Sequence, residues 1–307
     1  MTNNQPPTTP LTTVAAALAW ARAALSDAAD SEPLDAPLLL AHVLGCERAA
    51  LLAHPDRPLT PAQSVALRAL VARRADGVPL AYLTGERAFY DLTLIVTPDV
   101  LIPRPETEHL VERALAWART RGKPPRIADV GAGSGAIAVT LARHLPAAQV
   151  WALDVSRAAL GVARRNAARY DLGQRIRFVQ ADLLGPLLGA RGAFDLIVAN
   201  LPYVPTSALE ALPVSRHEPR LALDGGPDGL AVIRRLLAQV PRVLAADGLL
   251  LLEIEAAQGE QAAALTVEAL PGARVTVHAD YAGHDRVLSA EWGVRAQVDG
   301  DSLGAGH

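Results

Sequence analysis

One cysteine, one methionine and one lysine stand among 307 residues, and aromatic side chains make up only 4%. With Cys46 alone there is no intramolecular disulfide and no cysteine-rich zinc site, so the thiol reads as a small core residue among apolar neighbours. The eight histidines show no paired ligand spacing, and no metal is expected. The first ten residues, MTNNQPPTTP, carry neither a basic stretch nor an apolar one, so they are not read as a secretory signal. No uncharged apolar run approaches the ~18 residues of a membrane helix. A cytoplasmic chain with no membrane partner is therefore expected. Excess charge is lacking too: 29 basic against 32 acidic side chains leave a net charge of −3. That balance argues against a surface built as a cation for nucleic acid and leaves only a local patch open. With half the residues hydrophobic, the interior must be filled by Leu, Ala and Val.

The apolar spacing divides the chain. Residues 1–10 are polar and Pro-rich and are expected to be disordered. From 11 to 84 the spacing is helical: Leu11, Val14, Leu18 and Leu25 form one stripe, and Val65, Leu67, Leu70 and Val71 another. The second stripe follows Thr60-Pro61, a cap with proline in the first turn. Residues 85–105 alternate β-formers with prolines and read as a hairpin or extended linker, and a helix follows from about 105 to 120. From 106 to 293 short apolar strands alternate with helices. Strands are expected at 127–130, 150–154, 176–180, 194–200, 249–254, 274–278 and 286–290, and helices near 135–144, 156–170, 228–244 and 256–269. This is the pattern of an α/β domain with a mostly parallel sheet covered on both faces, the last strand turning antiparallel for want of a crossover helix. Residues 294–307 form a polar tail.

Gly131, Ala132, Gly133, Ser134 and Gly135 join the first of these strands to a helix. Glycines there allow a sharp turn and close approach of a ligand. Read as G-x-G-x-G the loop suits an adenosylmethionine site; read as G-x-G-x-x-A it also matches a dinucleotide fingerprint. Asp154, at the end of the next strand, can accept hydrogen bonds from both ribose hydroxyls in either case. Asp182, or its neighbour Leu183, is placed to reach an adenine edge. These residues point to an adenosine-containing ligand without choosing which.

The choice comes from Asn200-Leu201-Pro202-Tyr203, directly after the strand at 194–200. Strand ends at this edge of an open α/β sheet line the ligand crevice. The nitrogen of an amide or a nucleobase amine is a poor nucleophile, because its lone pair is delocalised. The Asn200 side-chain oxygen and the Leu201 main-chain carbonyl can accept its two N–H groups and turn the lone pair toward an electrophilic methyl. Pro202 fixes the turn, and Tyr203 offers a face for a planar group. Positioning and electrostatics suffice for such a transfer, with no strong base. Hydride transfer has no use for this element.

With these residues in place the chain resembles the HemK/PrmC family of glutamine N-methyltransferases acting on peptide-chain release factors. The resemblance runs from about 11 to 291. It is carried by Pro79–Glu86, by Leu101-Ile102-Pro103-Arg104-Pro105-Glu106-Thr107-Glu108, by Asp129–Gly135, and by Glu218–Gly226 with Asp228-Gly229-Leu230. It implies a seven-stranded Rossmann-like class I methyltransferase domain behind a small all-helical domain that holds the substrate. S-adenosylmethionine is the implied cofactor, contacted by Gly131–Gly135, Asp154, Asp182, Leu183 and Asn200. The implied substrate is the glutamine of a Gly-Gly-Gln loop, contacted by Asn200–Tyr203. A monomer without stable nucleic-acid binding is expected.

One departure is Leu201, where the family usually has proline. Asn-Leu-Pro-Tyr is also typical of ribosomal-RNA adenine dimethyltransferases, which makes RNA or DNA adenine the rival substrate; a ribosomal-protein glutamine is a further alternative. The helical domain, the Ile102–Thr107 segment and the lack of basic charge disfavour nucleic acid.

Three smaller expectations complete the reading. Arg104 and Glu106 are placed to pair beside the cofactor pocket or at the surface. Arg157, Arg164, Arg165, Arg169, Arg175 and Arg177 form a solvated face or a docking patch. Glu218 and Asp224 are placed to stabilise the substrate loop.

Overall fold

The computed structural model describes residues 11–26, 28 and 31–293; the expected tails at 1–10 and 294–307 lie outside the described residues. The chain opens with five helices: α1 (Val14–Leu25), α2 (Asp35–Leu44), α3 (Arg48–Ala53), α4 (Pro61–Ala75) and α5 (Leu80–Thr84). Thr60 caps α4 as expected. Its hydroxyl accepts from the Gln63 amide N–H, the Gln63 side chain reaches back to the Thr60 N–H, and Pro61 occupies the first turn. The helices bury Leu18, Trp20, Leu39, Leu40, Leu67 and Val71 against one another. Cys46 is half-buried at the edge of this core, not inside it.

Strands β1 (Glu86–Phe89) and β2 (Leu92–Ile95) form an antiparallel hairpin with Tyr90 at its turn in the left-handed region (φ 56°). Then come α6 (Thr107–Thr120), β3 (Arg126–Val130), α7 (Ala136–His144), β4 (Gln149–Asp154), α8 (Arg157–Arg169), β5 (Ile176–Gln180) and β6 (Phe194–Ala199). The chain finishes with α9 (Ala231–Leu237), α10 (Val240–Val243), β7 (Leu244–Glu253), α11 (Gly259–Ala269), β8 (Arg274–Ala279) and β9 (Asp285–Glu291). Among the described residues no helix is long and apolar enough to cross a membrane.

The seven-stranded sheet has the order β5-β4-β3-β6-β7-β9-β8. The first five strands pair in parallel, and β9 runs antiparallel to both β7 and β8, as the missing crossover helix required. Every residue of β6 is buried, because a central parallel strand is covered on both faces. One face packs against α6, α7 and the hairpin through Leu110, Leu115, Leu141, Phe89 and Leu94. The other packs against α9, α10 and α11 through Ile233, Leu236, Val240 and Ala262. Strand order reverses between β3 and β6, so the crevice of such a sheet must open at their C-terminal ends.

Two elements differ from the sequence reading. The helix expected over 228–244 is broken at Ala238-Gln239, ahead of Pro241, whose missing N–H ends the ladder. Strand β7 starts at Leu244, five residues before the expected 249. Ala245-Ala246-Asp247-Gly248 resembles a turn, and Asp247 does take a left-handed backbone (φ 61°); Leu244 pairs with Phe194 and Leu249 with Leu196, so these four residues form a bulge within the strand. The arginines on and after α8 are largely engaged within the chain. Arg164 lies over the Phe178 ring, Arg177 over Trp151, Arg169 pairs with Glu86, and Arg175 donates to the Leu145 and Pro146 carbonyls.

Asn166 of α8 ties this frame to the loop after β3. It is fully buried, accepts from the Ile95 N–H at 2.6 Å, and donates to the carbonyls of Ile95 (2.9 Å) and Ser134 (2.8 Å). Truncation would leave the Ile95 N–H and the carbonyls of Ile95 and Ser134, the last buried, without this partner. Asn166→Ala is expected to cost on the order of 3 kcal/mol, read as a lower urea midpoint at unchanged slope.

Candidate active site

A cavity of about 380 Å³ opens at the C-terminal ends of β3, β4, β5 and β6, within the range of small-ligand pockets. Four segments predicted from sequence converge on it: Gly131–Ser134, Asp154, Asp182-Leu183 and Asn200–Pro202. The loop after β3 turns on three left-handed glycines, Gly131 (φ 79°), Gly133 (φ 54°) and Gly135 (φ 80°). Only glycine adopts such a run without strain. The Gly131 and Ala132 N–H groups both donate to the Leu153 carbonyl at the end of β4, which locks the loop down against the sheet. Gly135 packs on α8, and it does not line the cavity.

Asp154 accepts from the Gly133 N–H through one oxygen and from the Ser156 N–H through the other, both at 2.8 Å. A carboxylate offers about four acceptor positions, so two remain for a ligand. Burial raises its pKa, opposed by those two backbone bonds. Asp182 is exposed at the rim and ion-paired with Arg235, so its carboxylate is not free to turn inward unaided. Its neighbour Leu183 is buried and held in the left-handed region (φ 53°), which costs a branched residue energy and is typical of ligand sites.

Asn200 begins the loop after β6. Its Nδ2 donates to the Thr107 hydroxyl at 3.0 Å, so the amide is turned with Oδ1 away from Thr107. Among the described residues nothing donates to Asn200 Oδ1 or to the Leu201 carbonyl. The Leu201 side chain is buried over Gly131, where an added Cβ would lie 3.0 Å from its Cδ2. Tyr203 is not part of the cavity lining. Its ring is half-buried, and its hydroxyl donates to Glu253 Oε1 at 3.3 Å. Burial, and the negative charge of Glu253, push the phenol's pKa upward.

Several residues that shape the site take partners that the sequence reading left open or did not name. Arg104 pairs with Glu218, not with Glu106, which is exposed ahead of α6. Glu218 is buried and also accepts from the Ile102 N–H at 3.0 Å, so it clamps the 102–104 segment onto the cavity wall. Asp224 accepts from Thr206 and from the Gly226 N–H, and pairs with Arg220. A Cβ on Gly229 would collide with the Tyr203 carbonyl, and one on Gly225 would lie 2.8 Å from the Pro202 carbonyl. The Gly225–Gly229 segment is therefore a cradle for Pro202-Tyr203. Glu253, at the end of β7, was also missed. Its signal was a lone carboxylate closing the run Leu249-Leu250-Leu251-Leu252, where the strand is buried on both faces.

Two carboxyls here are fully buried. Burial raises Asp129 to about 7 against the backbone bond from Ala138, and burial raises Glu253 to about 7 against its polar neighbours Thr107, Arg286 and Tyr203. Between pH about 4 and about 7 the folded chain retains protons that the unfolded chain has released, so these groups make stability fall as pH rises through that window. Asp129→Asn is expected to weaken this slope, measured as the urea midpoint between about pH 5 and about pH 7.5; an unchanged slope would contradict the buried, protonated carboxyl.

Comparison with known proteins bears on the same residues. Residues 16–85 match the family model described as PrmC N-terminal domain, and residues 127–214 match the one described as Methyltransferase domain. The release factor glutamine methyltransferase of Moorella thermoacetica is 46% identical over 261 residues, covering 84% of this chain and 90% of the relative. That of Bordetella pertussis is 46% identical over 257 residues, covering 83% and 93%. That of Rhodopirellula baltica is 40% identical over 267 residues, covering 85% and 90%. Similarity at this level across nearly the whole of each relative, with both regions represented, means that the chain belongs to the release factor glutamine methyltransferase family.

Proposed function

We propose that this chain transfers the methyl group of S-adenosylmethionine to the side-chain amide nitrogen of the glutamine in the Gly-Gly-Gln motif of peptide-chain release factors. The observation that carries the reading is Asn200. Its Nδ2 is spent on Thr107, so Oδ1 is left to accept at the cavity, beside a Leu201 carbonyl that is also without a donor. Two acceptors without donors, on adjacent residues that both line the cavity, match the two N–H groups of a carboxamide.

The cavity fits the cofactor. Its volume of about 380 Å³ suits a small ligand, Asp154 keeps acceptor positions for ribose hydroxyls, and Leu183 with the Gly131–Ser134 loop supplies close apolar and backbone contact. Asp182 serves the adenine end only through its pairing with Arg235 or through the backbone beside it. Bound there, S-adenosylmethionine supplies an electrophilic methyl on a cationic sulfonium. The chain's own work is positional. Asn200 Oδ1 and the Leu201 carbonyl accept the two amide hydrogens, which aims the nitrogen and favours its pyramidal form. Pro202, seated on Gly225, fixes the direction of the preceding carbonyl. Tyr203 acts from behind the wall, anchored on Glu253, instead of stacking on the substrate.

Residues 11–84 then serve as the part that holds the release factor, and 106–293 as the part that transfers the methyl group. Localisation in the cytoplasm, a monomeric state and the lack of stable nucleic-acid binding go with this reading and with the net charge of −3.

Incubation with S-adenosylmethionine and a release factor should add one methyl to the Gly-Gly-Gln peptide, read by mass spectrometry; label that enters RNA but never that peptide would move the substrate to nucleic acid. Asn200→Ala should raise the barrier by on the order of 2–4 kcal/mol with cofactor affinity retained. Asp154→Ala should weaken cofactor binding first, seen by calorimetry as a larger Kd.

A further inference from the structure

The short helix α5 is shared by two separate apolar cores, a feature that the proposed reaction does not use. Leu80 and Leu83 pack with the other N-terminal helices. Ala81 and Tyr82, on the opposite side of the turn, pack with Val96, Val100 and Ile102 and with Ala159 and Val162 of α8. The Tyr82 hydroxyl donates to the Val100 carbonyl at 2.6 Å, and among the described residues that carbonyl has no other donor. Burial pushes the phenol's pKa upward, so the hydroxyl keeps its hydrogen throughout the working range of pH. Val100 and Leu101 both line the cavity, together with Asp154, Ser156 and Ala159 at the end expected to take the ribose.

We infer that Tyr82 is a positioning residue for the cofactor: its hydroxyl fixes the cavity wall at Val100-Leu101, so that the joint between the helical region and the sheet sets the affinity for S-adenosylmethionine. This rests on the cofactor reading above. A peptide unit is planar and rigid, so holding one of its polar groups also aims the other. Tyr82 holds the unit between Val100 and Leu101 by its carbonyl. Glu218 holds the unit between Leu101 and Ile102 by its N–H, at 3.0 Å. With the planes on both sides fixed, the two backbone angles of Leu101 are fixed, and with them the direction its side chain takes at the cavity. Pro103 narrows the choice further, because the residue before a proline is restricted. Among the described residues the N–H and carbonyl of Leu101 itself have no partner, so the two flanking bonds are what hold it. Without the hydroxyl the first plane is free to turn, and the cofactor must order the wall as it binds, at a cost in affinity.

The test is calorimetric titration of the full chain with S-adenosylmethionine, alongside steady-state methylation of a release factor. Tyr82→Phe keeps the ring and loses only the hydroxyl. It should raise the cofactor Kd by roughly 5- to 10-fold, the scale of one lost hydrogen bond, with the cofactor KM rising in step and kcat at saturating cofactor changing far less. p-Aminophenylalanine in place of Tyr82, which again carries a donor at that point of the ring, should restore most of the affinity. Thr84→Val removes a hydroxyl that bonds to carbonyls within the same helix and has no bond to the wall, and should leave the Kd unchanged. A wild-type Kd in Tyr82→Phe would overturn the inference. An equal loss in Thr84→Val would overturn it too, by reducing the effect to general stability of the joint. Should Tyr82→Phe fail to fold, the p-aminophenylalanine protein decides alone: a Kd near that of the wild type supports the inference, and one raised by about 10-fold overturns it. A wild-type protein that binds no S-adenosylmethionine would instead sink the cofactor reading, a separate outcome.

Discussion

Backbone packed against backbone, with no room for a Cβ, is the constraint on which the site depends. The four residues from Asn200 to Tyr203 run through a slot whose walls are other stretches of main chain: Gly131 beneath Asn200 and Leu201, Gly225 against the Pro202 carbonyl, and Gly229 against the Tyr203 carbonyl. Held on three sides in this way, the loop keeps the Leu201 carbonyl pointed without spending a hydrogen bond on it. A carbonyl that is fixed but unpaired at the mouth of a cavity is ready to accept from a ligand at little cost in reorganisation. The sheet supplies the rest, since parallel strands deliver their C-terminal ends to one edge and the reversal of order between β3 and β6 opens it.

The same constraint explains why polar residues cluster behind the wall. A loop wedged between glycines leaves its side chains pointing into the protein, and those that are polar must find partners there. Tyr203 meets Glu253, Asn200 meets Thr107, and Gln258 donates to the Tyr203 carbonyl at 3.0 Å. Glu218 does the corresponding work on the opposite wall, through Ile102 and Arg104. These groups are remote in sequence, and each is brought in by a different element. The cavity is therefore as rigid as the fold that carries it.

Much of this architecture was legible in the residues alone. The alternation of short apolar runs with amphipathic stretches gave the order of strands and helices, and the shortage of chain between 279 and 286 gave the antiparallel edge. The glycine loop, Asp154 and the Asn200 turn could be placed because each follows directly from a strand end. What stayed hidden were pairings across long separations. The 102–104 segment and Glu218 lie more than a hundred positions apart, so nothing local favoured Glu218 over the adjacent Glu106 as the partner of Arg104. Glu253 was masked by the leucines before it. Strand β7 was cut short because Asp247-Gly248 carries the chemistry of a turn inside a strand.

Leu201 has a consequence of its own. What that position offers a ligand is main chain, so its side chain is free to change as long as it fits. The fit is set by Gly131, over which the leucine lies close enough that an added methyl on the glycine would press on it. The two sites thus form a single steric unit across the seam between β3 and β6. The Leu201 side chain thus fills space beside Gly131, while its carbonyl keeps no donor among the described residues.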